Sequence, residues 1–419
     1  MTLYLSKLIN KKDIIIDYIV AIFFIITTGS VFYVHLLSPA FTNIFLLLLS
    51  IANKLRINKN IRYPRFLYNN SWWYIVFIIL LALSGDVYYN HTYNDRNLLA
   101  YIVNLLASYF IISSYDFAYF RKLLTNVVFV ITLVGIPVFI LNEFDYLPTY
   151  VVKSPGRETY SMFLFYTLGW PSSFHRFSGI WHEPGACQIV LNTILWLHVK
   201  HITRWNWKEN ELKKIVVIFI GAILTFSTGS YISLMLMIIT VTITIKLKTR
   251  HSFLKRILII IIGVMSLFVF FNSDTVQNKL FREETEENRI STFGRVNDAI
   301  ALYKMTIERP LLGYGLGTQA YWKQSGKLGN VMNSSGLLVF SASFGIIWLL
   351  TFIIVVFIRL NSMGFKKEAF LFLLAIILMQ INEDYIEFPL TCIFIFEFGR
   401  YAKHRKLLLS PNLRRNSYI

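Results

Sequence analysis

Residues 74–85 read YIVFIILLALSG, a block with no charge and no polar stripe at helical spacing. Such a helix has no face to offer water, so it belongs inside hydrocarbon or protein. Similar blocks recur along the 419 residues, which are 55% hydrophobic, 16% aromatic and only 15% charged. Soluble domains carry about a quarter charged residues, and several of these blocks exceed the ~18 residues that mark a membrane span. The sequence therefore predicts an all-α, polytopic integral membrane protein forming a single domain over residues 1–419.

Spans are expected at 14–37, 38–53, 72–89, 98–114, 125–142, 184–200, 215–229, 230–245, 257–272, 334–358, 369–384 and 388–400, about twelve transmembrane helices. The run 215–245 is too long for one crossing, and TFSTGS (225–230) divides it into a hairpin. The first apolar stretch follows Lys7, Lys11 and Lys12 but is too long for a signal peptide and lacks a small-residue cleavage site. It is expected to remain as an uncleaved span. Cys187 and Cys392 both fall in spans and supply neither a disulfide framework nor a metal set.

In this topology one side carries 29 Lys/Arg against 7 Asp/Glu, and the other 12 against 16. KLRINKNIRYPR (54–65) and the tail KHRKLLLSPNLRR (403–415) lie on the basic side. By the positive-inside rule that side and both termini are cytoplasmic. The net charge of +18 then reflects orientation and contact with anionic membrane lipids, with no need for nucleic acid.

Two external segments, 142–183 and 272–333, are longer than ordinary connections, and such loops tend to carry function. They hold Lys153, Arg157, Arg176, Arg289, Arg295 and Arg309 where the topology disfavours cations, and an anionic ligand is the simplest reason. In the second, Val296, Ile300, Tyr303 and Ile307 form an apolar stripe, the pattern of an amphipathic helix at a membrane surface. Ser291 or Thr292 is expected to cap this helix and Pro310 to end it. That places Arg295 in the first turn, where a bound anion would reconcile the cation with the helix dipole; a local pairing with Asp298 is the plainer alternative.

In the first loop, RFSGIWHEPGACQ (176–188) sets Arg176, His182 and Glu183 before an apolar run. Pro184 suits the first helical turn and leaves Glu183 at the N-cap. A carboxylate at the edge of hydrocarbon is expected to have a raised pKa, which suits a general base, with His182 in reserve. Capping by Glu183 and an interfacial His182 are the structural alternatives. GYGLGT (313–318) lacks the Lys-Ser/Thr and preceding strand of a nucleotide loop and is expected to be a tight turn. The acidic run REETEENR (282–289) reads as solvated surface, and Glu383, Asp384 and Glu387 are placed to answer the loop arginines. His35, His91 and His198 read as structural, and no zinc, haem or nucleotide site is evident.

RFSGIWHEP before a span, then GR with an amphipathic helix, ERPLLGYGLGT (308–318) and NSSGLLVFSASFGIIW (333–348), resembles the O-antigen polymerase and ligase superfamily of bacterial envelope proteins. The resemblance covers roughly residues 165–350 in motif order. It implies a GT-C-like glycosyltransferase of the inner membrane, its site facing the periplasm, working with no cofactor, metal or nucleotide sugar. The implied substrates are undecaprenyl-pyrophosphate-linked oligosaccharides, and a chain-length-regulating membrane protein is an implied partner. Arg176 and Arg295 match the family's loop arginines, expected at the pyrophosphate, and Glu183 matches the acidic position of the first motif. These three are the catalytic candidates; His182, Arg157, Arg289, Asn333 and Glu383 are the substrate-binding ones. Ligases typically place a histidine before the asparagine after the second loop. Here the pair is Met332-Asn333, which favours polymerase over ligase. A flippase for the same lipid-linked sugars would carry its charges within the spans rather than in loops.

Overall fold

The computed structural model describes residues 2–33, 39–58, 71–90, 96–153, 159–169, 176–204, 209–244, 286–329, 333 and 335–399, with isolated positions between 253 and 272. The first half is built from α1 (Thr2–Ile26), α2 (Pro39–Asn58), α3 (Ser71–Asn90), α4 (Arg96–Ile112) and α5 (Phe117–Glu143). Asp116 caps α5 by accepting from the Tyr119 amide at 3.0 Å. At one end of these helices Arg56 bonds Asp13 at 3.0 Å and also pairs with Asp17, which is fully buried. Tyr115 and Tyr119 donate to the same Asp17 at 3.0 and 2.7 Å. A charge this deep is tolerable only with such a complete set of partners.

Helix length decides the shape of the second half. With 27 residues, α5 is ~40 Å long at ~1.5 Å per residue, ample for the ~30 Å hydrocarbon layer. By contrast α6 (Pro184–Leu197) has 14 residues and α8 (Glu209–Leu224) has 16, after the short α7 (Val199–Arg204). At ~21 and ~24 Å these fall short of a full crossing. Every residue of α6 from Gly185 to Leu197 is buried, which makes it the axis of the molecule. Its polar groups are answered from α9 (Thr228–Thr244): Asn192 donates to Ser230 at 3.0 Å and Trp196 to Ser233 at 2.9 Å. The stretch 215–245 is indeed two helices, α8 and α9, meeting at residues 225–227.

Among the described residues two helices, α2 and α5, are long and apolar enough to cross a membrane alone; six more apolar segments there are shorter. The fold is a mostly helical one, and a count of twelve crossings goes beyond it. Several expected spans end early or break. α1 stops at Ile26 rather than at 37, in a turn containing Gly29 at φ +68°. The span expected at 334–358 is two helices, α12 (Gly336–Phe344) and α13 (Ile346–Ser362), divided at Gly345. After α14 (Ala369–Asn382), the last expected span is a single 3-10 segment, Pro389–Phe394.

The Gly345 break explains GYGLGT. The chain leaving α10 (Glu286–Glu308) enters the gap, and its backbone bonds to the groups the break exposes. Ile346 N–H donates to Pro310 O at 2.6 Å, while Tyr314 and Gly315 N–H donate to Ala342 and Ser343 carbonyls, each at 2.9 Å. Backbone meets backbone, so Gly313 and Gly345 have no room for a Cβ. The glycines serve a close approach of two chains, the tight-turn function the sequence suggested rather than a phosphate cradle.

The first long loop departs from an all-α description. It holds a three-stranded antiparallel sheet of β1 (Tyr150–Lys153), β2 (Thr159–Phe163) and β3 (Tyr166–Gly169), rich in the aromatic and β-branched residues that suit strands. Its third strand is tied to the helices: Tyr166 donates to Ile131 O at 3.2 Å and Thr167 N–H to Gly179 O at 2.8 Å.

Candidate active site

Residues 176–183 run back from the sheet into the bundle. Phe177, 1% exposed, packs its ring where a Cβ on Gly135 of α5 would stand. Gly135 lies eight residues before the end of α5, so the segment sits ~12 Å below that end. The end of α8 meets the chain at this level.

Arg176 is fixed by the end of α8. Its Nε–H donates to Thr225 O at 2.9 Å, and the next amide, Phe177 N–H, donates to Leu224 O at 2.9 Å. Terminal helix carbonyls carry partial negative charge and favour a cation there. One edge of the guanidinium is thereby used and both terminal amino groups remain. Burial pulls the Arg176 pKa down and the charges of Glu383 and Glu183 pull it back up, but a guanidinium stays protonated near neutrality.

His182 has partners on several sides. Its Nδ1 is 3.0 Å from Gly29 O, its Nε2 is 3.3 Å from a Glu183 carboxylate oxygen, and the Tyr385 ring stacks on it at 6.0 Å with its hydroxyl 3.2–3.3 Å away. Glu183 is the N-cap residue of α6, as the Pro184 rule predicts, yet makes no side-chain cap bond. Its carboxyl turns instead to His182 and to Glu383, the residue ending α14. The Glu183 and Glu383 carboxyls act on each other electrostatically, and Glu383 lies where a Cβ on Gly185 would be.

This arrangement corrects the expected electrostatics. Against the upward push of burial, His182 and the hydrogen bonds from His182 and Glu383, aided by Arg295, bring Glu183 down to about 2. The carboxyl pushed well up is Glu383, by burial first and then by the charge of Glu183. Two hundred residues separate the two acids in the chain, and it is their meeting that sorts their protonation.

Arg295 reaches the same site electrostatically, acting on Arg176, Glu183 and Glu383. Its helix begins at Glu286, not at Ser291 or Thr292, so Arg295 stands mid-helix and the expected N-terminal anion site does not form. The arginine is exposed, whereas Asp298 is fully buried. Arg295 lines a cavity of about 390 Å³ with Val296, Ala299, Ile300, Tyr303, Ser335 and Ile381. The expected stripe of Val296, Ile300, Tyr303 and Ile307 is about half exposed. The opposite side of α10 is the packed one: Ala301, Leu302 and Met305 are fully buried, and Thr306 bonds Ser341 of α12 at 2.9 Å.

Other candidates fare differently. Asn333, at φ +50°, accepts from Tyr321 of α11 (Gln319–Lys327) at 2.8 Å, which makes it a pin for the second loop. Arg157 lies outside the described residues, as does the side chain of Arg289 on α10. Sequence reasoning missed Tyr385, Gly29, Gly185 and Thr225. The only local hint was Gly after Pro184; the other three matter because distant turns meet here.

Residues 215–353, from α8 to α13, match the family model described as O-antigen ligase. No curated protein and no solved structure matches the chain. The matched stretch contains Thr225, Arg295 and Asn333, while Arg176, His182, Glu183 and Glu383 lie outside it. The match supports the O-antigen polymerase and ligase superfamily, membrane proteins of bacterial polysaccharide assembly, and does not separate the two activities.

Proposed function

We propose that this chain is a polymerase of undecaprenyl-pyrophosphate-linked oligosaccharide repeat units, acting at the periplasmic face of the inner membrane with both termini in the cytoplasm. The observation that supports the reading best is that the charges of Arg176 and Arg295, from two separate loops, both act on the carboxyls of Glu183 and Glu383. An acceptor sugar hydroxyl attacks the anomeric carbon, the bond from that carbon to the pyrophosphate oxygen breaks, and the electron pair leaves on the lipid pyrophosphate. Charge grows on the leaving group, and two permanently charged guanidinium groups stabilise it without a proton transfer of their own. Glu183, the carboxylate of the site, receives the hydroxyl proton. A site at helix ends suits a donor whose pyrophosphate sits at the boundary between sugar in water and tail in hydrocarbon.

The family description makes ligase the second reading. Cells lacking the gene, complemented with wild type, Arg176→Ala, Glu183→Gln or Arg295→Ala at matched protein levels, separate the two. A polymerase deletion leaves surface core with a single repeat unit. A ligase deletion leaves no attached polysaccharide and accumulates lipid-linked polymer. Full ladders from all three mutants would remove this site from the reaction.

A further inference from the structure

We infer that the hairpin joining β2 and β3 dips into the lipid leaflet at the Glu143 end of α5, with its apolar tip among the acyl chains. The packing of the first loop carries this, independently of the glycosyl-transfer reading.

The tip has the wrong chemistry for a turn in water. Leu164 and Phe165 are the two turn residues between the paired Phe163 and Tyr166, so the turn and its flanks read FLFY. Exposed hairpin turns normally use Gly, Asn or Asp, which accept φ above zero and bond to water. Leu164 has φ +51°, a conformation open to glycine but strained for leucine. Both turn side chains are nonetheless 59% exposed. Large apolar groups left uncovered mark a contact with lipid or protein, and depth decides between them.

The backbone at the tip is provided for. In hydrocarbon a bare carbonyl has no water to bond and is costly. The Leu164 carbonyl accepts from the Tyr150 hydroxyl, reaching over from β1. Phe165 is held from one side by Phe32, ring to ring at 5.4 Å.

The contacts with α5 set the depth. Tyr166, beside the tip, donates to Ile131 O at 3.2 Å, and its ring lies 2.9 Å from where a Cβ on Gly135 would stand. Those two α5 residues place the tip roughly 12–18 Å in from the Glu143 end. With ~40 Å of helix against ~30 Å of hydrocarbon, at most ~10 Å of α5 can project at this end. The tip therefore stays inside the boundary. At the same level α5 itself exposes Val130, Leu133 and Val134. Just past its end, Phe144 and Tyr146 are exposed on either side of Asp145, the mixture of aromatic rings and charge that suits a headgroup boundary.

The anchor reaches the site through short contacts. Thr167 N–H donates to Gly179 O at 2.8 Å, and Phe177 shares with Tyr166 the space that Gly135 leaves open. A tip lodged in the leaflet thus holds residues 176–183 at a fixed depth.

The test is spin labelling of the full chain in vesicles of phosphatidylethanolamine and phosphatidylglycerol. Cys187 and Cys392 are buried, so a cysteine introduced at the surface is the reactive one, and the unsubstituted chain is the blank. Labels are placed on Leu164→Cys and, as a second reading should that variant fail to fold, Phe165→Cys. Val134→Cys is the lipid reference and exposed Lys323→Cys the water reference. Dissolved oxygen is expected to relax the labels at 164 and 165 as it does at 134. A water-soluble nickel chelate that relaxes the label at 323 is expected to lose its effect at both. A chelate effect at 164 and 165 equal to that at 323 puts the tip in water and overturns the inference. Exclusion of both reagents, or spin–spin broadening that dilution with unlabelled chain removes, puts protein over the tip and overturns it too.

Discussion

Gly345 is the position where one added methyl group should do the most damage at the least chemical change. It has φ +83° and ψ 175°, a conformation essentially confined to glycine, which costs other residues about 1–3 kcal/mol. A Cβ built there stands 2.5 Å from the Leu311 carbonyl carbon and oxygen and 2.6 Å from Pro310 O, all backbone atoms that cannot rotate away. Relief requires 310–315 to withdraw from the break between α12 and α13. That gives up the bonds from Ile346 to Pro310, from Tyr314 to Ala342 and from Gly315 to Ser343. At about 1 kcal/mol each, with the strain added, Gly345→Ala costs about 4–6 kcal/mol at this contact. That corresponds to a shift of its opening equilibrium by roughly a thousandfold to twenty-thousandfold.

Hydrogen–deuterium exchange of the detergent-solubilised protein reads this directly. The Tyr314 and Gly315 amides should be slow in wild type and faster by about that factor in Gly345→Ala, since exchange follows local opening. Gly326→Ala is the control, because nothing lies within 4 Å of a Cβ there, and its exchange should match wild type. The segment leads straight out of α10, so polymer length should also fall in Gly345→Ala although Arg295 is untouched. Unchanged protection at Tyr314 and Gly315 would show that the glycine-rich segment is not held by the helix break, and the reasoning would fail.

Three further outcomes follow from the site. Arg176→Lys keeps the charge but loses the Nε bond to Thr225 O, so transfer from a lipid-pyrophosphate donor should drop by about 100-fold or more, whereas exposed Arg295→Lys should lose roughly tenfold; the reverse order in initial rates would contradict the clamp. Tyr385→Phe keeps the ring over His182 but removes its hydroxyl, and should lower the rate by roughly three- to tenfold with little change in thermal stability; a melting temperature that falls while the rate holds would make Tyr385 structural only. Glu387 is pushed up to about 7 by burial, so its contribution is complete below the ordinary carboxylate pKa of 4.5 and is lost as pH rises through 7. Melting temperature should therefore decline from pH 5 to pH 8, and Glu387→Gln should flatten the decline; a rise over that window would refute the buried-acid reading.

Hydropathy made the class of protein legible, and local chemistry made some edges legible. Pro184 after Glu183 placed the start of α6 correctly, and TFSTGS placed the α8–α9 turn, because both signals act within one helical turn. The failures share one cause. Uninterrupted apolar runs hid the break at Gly345 and the early stop at Ile26, since a bilayer or a protein interior accepts any apolar helix and leaves its ends to tertiary contacts. The strands of the first loop were missed because four- and five-residue segments such as YVVK and TYSMF carry too short a pattern to stand out beside twenty-residue helices.

The site divides along the same line. Its charged residues were recognisable singly, because a cation in an external loop or a carboxylate at a helix start is costly without a reason. Their protonation was not, because it depends on which turns meet. A lone Glu183 at the edge of hydrocarbon should hold its proton more tightly, and that expectation was sound for the neighbourhood the sequence displays. In the folded chain the first turn of α6 meets the last of α14, with the Gly29 turn behind His182. The histidine then fixes Glu183 as the anion, and the raised affinity moves two hundred residues along the chain to Glu383. A proton assignment at a site assembled from three loops is a property of their contact, and Gly185, which contributes no functional group, is the residue that permits it.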